Sequence, residues 1–143
     1  MINSKPVVKF ISPANIPSFL NEKNDDDFAL LAVANTAQDI GHLRSHMERL
    51  INKYCIYIVC AGTKAEAMYD MIEESIIRLN LDRKVSETSD MISTVWYPDI
   101  PPETIAAHFL DLNSPETSLY LVALLDSDPL SQNLRADLDK LVN

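Results

Sequence analysis

Glycine is the scarcest small residue in the chain: there are two in 143 residues, Gly41 and Gly62. Loops that cradle a phosphate use several glycines so that backbone amides can close on the ligand. Gly41 falls inside a helical period, which leaves Cys60-Ala61-Gly62-Thr63 as the one strand-to-helix turn with a glycine. A single glycine there specifies no nucleotide cofactor, and none is expected. Cysteine is equally rare. Cys55 and Cys60 are too few for a disulfide scaffold. They stand five apart in one apolar run, where alternation sends them to opposite faces and keeps them from pairing. Buried, reduced thiols are expected. Long hydrophobic runs are missing as well. Phe28 to Ala34, like the other apolar runs, is far short of the ~20 residues that a membrane span needs. Met1 to Phe10 carries Lys5 and Lys9 but no apolar stretch, and Pro6, Pro13 and Pro17 punctuate the region. That pattern does not read as a secretory leader, and the expected location is the cytoplasm. Finally, base is in short supply. Twelve Lys and Arg face 21 Asp and Glu, for a net charge of −9. Nucleic-acid phosphates call for Lys and Arg, so no nucleic acid is expected as partner. The same charge draws a basic partner, or serves only to keep the domain soluble.

What the chain does have is apolar pattern. Phe28 to Ala34, Cys55 to Cys60 and Leu119 to Leu125 are apolar on both alternating faces. Parallel strands covered by helices on both sides read this way. Met91 to Tyr97 is a weaker fourth, and Val7 to Ile11 is a candidate edge strand. Between the strands, apolar residues recur at three and four: Ile40, Leu43, Met47, Leu50, Ile51 and Tyr54, then Ala65, Met68, Ile72, Ile76 and Leu79. Ile105, Phe109 and Leu112 form a shorter stripe, and Leu130, Leu134, Leu138 and Leu141 the cleanest. Thr63-Lys64-Ala65-Glu66 has the form of a capping box, and Thr36-Ala37-Gln38-Asp39 a weaker version. Asp128-Pro129 puts a capping carboxylate before a first-turn proline, and Pro101-Pro102-Glu103 opens a helix in similar style.

The elements expected are strands at 28–34, 55–60, 91–96 and 118–125 and helices at 37–53, 64–79, 102–112 and 129–142. Strict alternation predicts right-handed crossovers in a three-layer αβα sandwich. The sheet is mainly parallel and four-stranded, of Rossmann-like or flavodoxin-like topology. The whole of 1–143 reads as one α/β domain with an irregular lead-in over 1–26. Leu30, Val33, Ile58, Val122 and Leu124 are the expected sheet core.

Open α/β sheets bind ligands beyond the carboxyl ends of their strands. Those ends carry Asn35 and Thr36, Thr63 and Lys64, Trp96 and Asp99, and Asp126 and Asp128. These are the candidate crevice residues, although turn and cap duty accounts for Thr36, Thr63 and Asp128 without any ligand. His42 and His46 share a helical face, as a metal pair would, but no nearby third ligand completes the set, so no metal is expected. No Gly-x-Ser-x-Gly elbow is present and neither cysteine has a partner base, so no catalytic residue is assigned. Cys60, before a helix N-terminus, has a position in which a thiol pKa can fall.

A strand ending Val59-Cys60-Ala61-Gly62, an acidic helix from Glu66 to Glu74, and then Ser93-Thr94-Val95-Trp96-Tyr97, Asp99 and Ile105 to Phe109 resemble a family of small bacterial α/β proteins of unknown function. The resemblance covers about residues 26 to 126. It departs at Tyr97, where the family has histidine. It implies the fold and no activity.

The residues therefore favour a non-enzymatic protein-binding module, such as an immunity-type protein that neutralises a basic partner. The acids expected to face that partner are Asp82, Glu87, Asp90, Asp99, Glu103, Asp111 and Glu116. One alternative is a small enzyme or ligand sensor that uses the strand-end crevice, in which case Asn35, Thr63, Trp96 and Asp126 should meet in one pocket. Another is a homo-oligomeric structural domain that associates through apolar residues such as Trp96.

Overall fold

The computed structural model describes residues 7–24, 26–83, 92–98, 100–113 and 120–142, with side chains in the long central helix described as far as Leu79. The elements are β1 (Val8–Ile11), a 3-10 turn (Pro13–Asn15), α1 (Ile16–Glu22), β2 (Phe28–Val33), α2 (Ala37–Arg44) and α3 (Met47–Asn52). They continue with β3 (Cys55–Ala61), α4 (Ala65–Arg83), β4 (Ser93–Trp96), α5 (Pro102–Leu110), β5 (Tyr120–Leu124) and α6 (Pro129–Val142). All pairings are parallel, in the order β1-β5-β2-β3-β4.

The sheet thus has five strands, the four expected and the candidate edge strand, because Val8 to Ile11 does pair, against Leu121 to Leu124. The stretch 1–26 is likewise not irregular where it is described. It holds β1, the 3-10 turn and α1, whose Ile16, Phe19 and Leu20 are buried. Apolar residues at a spacing of three and four suffice to seat even a two-turn helix when a sheet lies beneath it.

Winding sets the layers. From β1 to β2, β2 to β3 and β3 to β4 the chain steps in one direction across the sheet. From β4 to β5 it steps back past β3 and β2. Crossovers keep one hand, so the reversal moves the connecting helix to the other face. The two cores agree. Phe19, Leu20, Leu43, Met47, Met68 and Ile72 of α1 to α4 pack on Leu30, Ile58 and Val122. Ile105, Phe109, Leu134 and Leu138 of α5 and α6 pack on Leu31, Val59 and Ala123. The result is three layers around one sheet.

Of the expected sheet core, Leu30, Ile58, Val122 and Leu124 are buried. Val33 is only half-buried, because it ends its strand and lines a cavity. The helix expected over 37–53 is broken after Arg44. Gly41 weakens α2 from within, and the Ser45 hydroxyl donates to the His42 carbonyl at 2.6 Å, a local bond that competes with helix continuation. The two cysteines correct a second expectation. Cys55 and Cys60 join the same core, because Phe28 pairs with Cys55 while Ala29 pairs with Tyr57. Ile56 is the extra residue of a bulge, and a bulge flips the alternation that follows it.

At the amino-terminal end of the sheet, Lys23 is buried. Its ammonium donates to the carbonyls of Asn24 at 2.8 Å and Asp26 at 2.6 Å and lies 4.8 Å from the Phe28 ring centre. Carbonyl dipoles and an aromatic face together make burial of that charge tolerable.

Leu30→Ala, in the fully packed sheet, is expected to lower unfolding free energy by about 2–5 kcal/mol. Leu141→Ala, at a position 45% exposed, should change it by less than about 0.5 kcal/mol. Urea denaturation of the two variants reads the difference, and equal losses would contradict the layer assignment.

Candidate functional site

The winding reverses on either side of β2, whose neighbours are β5 and β3. The carboxyl ends of β2 and β5 therefore diverge into loops that leave towards opposite faces, which opens a crevice in folds of this class. Asn35 stands in that crevice, directly after β2. Its side-chain oxygen accepts from the Thr63 backbone amide at 3.2 Å. Its side-chain amide donates to Asp128 Oδ2 at 3.0 Å. One residue thereby ties the start of α4 to the start of α6 across the sheet edge.

Each tie has a local origin. The turn from β3 to α4 folds onto β2 so closely that the Lys64 amide donates to the Ala34 carbonyl at 2.9 Å. Gly62 sits there at φ +105°, and a Cβ on it would lie 2.3 Å from the Ala34 carbonyl oxygen. Only glycine fits such an approach. The expected capping box at Thr63 does not form in this setting. The Thr63 hydroxyl donates to the Asn35 carbonyl at 3.2 Å, and the helix begins one residue later, with the Met68 amide bonding to the Lys64 carbonyl. The other two caps match the sequence. Thr36 and Asp39 cap α2 reciprocally, and Asp39 Oδ2 also accepts from the Asn35 amide at 2.9 Å. Asp128 accepts from the Ser131 amide at 3.0 Å and the Ser131 hydroxyl at 2.6 Å.

Two cavities flank this network. One, of about 300 Å³, opens between α2, β5 and the start of α6. Its walls include Val33, Leu43 and Leu124, with Asp39, His42, Asp126 and Asp128 on the polar side. Asp39 Oδ1 and Asp126 Oδ2 have no hydrogen-bond partner among the described residues, and none of the three carboxylates is ion-paired there. The second cavity, of about 540 Å³, lies towards α5. Asn35, Gly62, Thr63 and Asn133 line it with Pro98, Ile100, Pro102, Ile105 and Leu130.

The candidate residues from the sequence are thus divided. Asn35 and Thr63 reach the larger cavity, Asp126 and Asp128 the smaller, with the Asn35–Asp128 bond between them. Lys64 and Thr36 are exposed caps or turns that line neither. Trp96 is half-buried against the α1–α4 core and lines neither cavity, because the register of β4 points it to that face. Asn35, Thr63, Trp96 and Asp126 therefore do not meet in one pocket, and Trp96 is not the freely exposed apolar residue that self-association would use. Asp99 lies outside the described residues. Asp39 was missed as a site residue, and its signal was in plain view as the last residue of a capping box beside Asn35.

Of the acids expected to face a partner, Glu103 and Asp111 are exposed. They stand eight residues apart at opposite ends of α5, about 12 Å along a helix, and so do not form one patch. The side chain of Asp82, with Glu87, Asp90 and Glu116, lies outside the described residues. The His42 and His46 rings do adjoin, with centres 5.1 Å apart, but His42 Nε2 donates to the Pro13 carbonyl at 3.1 Å. Burial and the neighbouring His42 push the His46 pKa below its ordinary value. Among the described residues no group of three or more His, Cys, Asp or Glu is placed to hold a metal ion.

A three-layer α/β domain with a divided strand-end crevice is the class that these features define. The chain belongs to the family described as a domain of unknown function, DUF7684, whose model matches residues 7–141. No curated protein matches it. Among the described residues no helix is long and apolar enough to cross a membrane.

Both thiols are buried, as expected, and Cys60 has no lowered pKa. Burial pushes both thiols up to about 12, so neither is a nucleophile near neutral pH. The unfolded chain gives up these protons near pH 9 and the native chain keeps them. The stability they contribute is therefore complete below pH 9 and is lost as pH rises towards 12. A Cys55→Ala, Cys60→Ala double variant should show a shallower alkaline fall in unfolding free energy than the native chain. Parallel pH profiles would contradict the burial of these thiols.

Proposed function

We propose that this domain is a non-enzymatic binding module of the cytoplasm, immunity-like in its role, that seats a basic side chain of a protein partner in the smaller cavity. The observation that carries the reading is the set of three carboxylates, Asp39, Asp126 and Asp128, around a cavity of about 300 Å³ with no ion-pair partner among the described residues. The strand order β4-β3-β2-β5 suits a Rossmann-like winding, which supports the reading because such folds take ligands at this end of the sheet.

Caps do the holding. Asp39 and Asp128 are fixed by backbone amides, so their charge is oriented before a partner arrives and little order is lost on binding. Asp39 Oδ1 and Asp126 Oδ2 then offer the free acceptors that a guanidinium fork requires. Asp39 and Asp128 are committed to helix caps, which favours recognition over proton transfer. The net charge of −9 adds long-range attraction, which speeds encounter and weakens with salt.

The test begins with a partner captured by the full chain and then purified. Asp126→Asn removes a charge without touching a helix cap, so folding is preserved. It should raise the dissociation rate by about tenfold, while Glu103→Gln with Asp111→Asn should alter mainly the association rate and its salt dependence. A complex indifferent to both salt and Asp126→Asn would overturn the reading.

A further inference from the structure

The acidic cavity has a fourth titratable group on its wall. His42 lines it together with Asp39, Asp126 and Asp128. The residue is exposed, so protons reach its ring freely. Chemistry fixes the tautomer. A carbonyl oxygen only accepts, so the 3.1 Å contact with the Pro13 carbonyl places the hydrogen of the neutral ring on Nε2. The bare lone pair is then on Nδ1, which has no hydrogen-bond partner among the described residues.

Protonation changes what this wall offers. The neutral ring adds one acceptor to Asp39 Oδ1 and Asp126 Oδ2, and all three suit a cation rich in donors. The protonated ring keeps its Nε2–H on the Pro13 carbonyl, so the 3-10 turn stays in place. It also gains a positive charge and an Nδ1–H donor. A basic side chain then meets a cation where it met an acceptor, and the free carboxylate oxygens find a base within the chain itself. His42 stands three residues after Asp39, a spacing at which side chains are neighbours on a helix surface.

The charged and titratable groups that face His42 come from two directions. Asp39 shares α2, and Asp126 and Asp128 come from the loop between β5 and α6. His46 adjoins, with ring centres 5.1 Å apart. Burial, then His42, then Arg49 hold the His46 pKa down, which keeps that ring neutral further into acid than an ordinary histidine. Arg44 lines a groove beside α4 instead. The 3-10 turn Pro13–Asn15 and Val33 at the end of β2 bring no charge.

We propose that His42 is a proton-operated release switch for the acidic cavity. Neutral, it admits a basic side chain of the partner. Protonated, it takes that side chain's place on the carboxylates. The switch rests on the reading of the cavity as the seat of a basic group and adds its regulation. Histidine is the side chain that ordinarily changes charge between pH 5 and 8, which sets the range to measure.

Titration of the full chain with ethylguanidinium, followed by amide and imidazole NMR shifts at pH 8 and pH 5.5, tests the switch. Saturable shifts at Asp39, His42 and Asp126 are expected at pH 8. Binding should be about tenfold weaker at pH 5.5, the effect of one like charge close to another. Coupling between two bound species is reciprocal, so saturating ethylguanidinium should lower the midpoint of the His42 ring by about one pH unit. His42→Gln, whose amide can still donate to the Pro13 carbonyl, should bind at pH 8 and lose the pH dependence, whereas His46→Gln should keep it. Without ligand, Asp126→Asn should lower the His42 midpoint. Equal binding at both pH values, a pH dependence that survives His42→Gln, or a His42 midpoint indifferent to both ethylguanidinium and Asp126→Asn would overturn the switch and leave the seat standing. No binding at pH 8 would overturn both.

Discussion

The crevice depends on one close approach. Gly62 meets the Ala34 carbonyl where no side chain fits, and this contact holds the β3–α4 turn against the end of β2. With the turn there, the Thr63 amide is within reach of the Asn35 side chain, and the other end of that amide is aimed at Asp128. A chain with two glycines in 143 residues places one of them where positive φ and a missing Cβ are both required. Asn35, fixed in this way, lines the larger cavity and bonds to the Asp128 that caps α6 beside the smaller one.

The rest of the architecture was written in periodicity. Phe28 to Val33 and Tyr120 to Leu124 are apolar throughout because helices cover both faces, and such runs are visible in any single sequence. The lead-in was harder to read. Val8 to Ile11 is short, and α1 has only seven residues. The strand registers only as a candidate edge strand, and the helix has a pattern too short to register without the sheet that organises it. The break between α2 and α3 is set by a hydroxyl bonding one turn back, at Ser45, which period counting does not detect. The faces of Cys55 and Cys60 depend on a bulge at Ile56, and a single inserted residue inverts every later inference from alternation.

The site was legible in part for the same reason. Residues at strand ends could be identified, since helix caps and turns mark where strands stop. Which ends adjoin could not, because strand order lies beyond local pattern. Asn35 and Asp128 are 93 positions apart and meet only because the chain doubles back between β4 and β5. Trp96 shows the opposite case. It sits at a strand end like the others, but its register places it against α4's core, away from both cavities. Surface charge was the least informative signal, as Glu103 and Asp111 show by standing at the two ends of one helix.

The proposed binding would use polar groups that hydrogen bonds of the crevice already hold in place. Asn35 is the hinge of that account, since it lines the larger cavity, bonds to Asp128 of the smaller one and ties both helix starts. The most direct measurement is a double-mutant cycle on unfolding free energy with Asn35→Ala and Asp128→Ala. A coupling of about 1 kcal/mol or more is expected for a half-buried bond between an amide and a carboxylate. Strict additivity would mean that the two residues stabilise the domain independently, and the single network from which both cavities are derived would not exist.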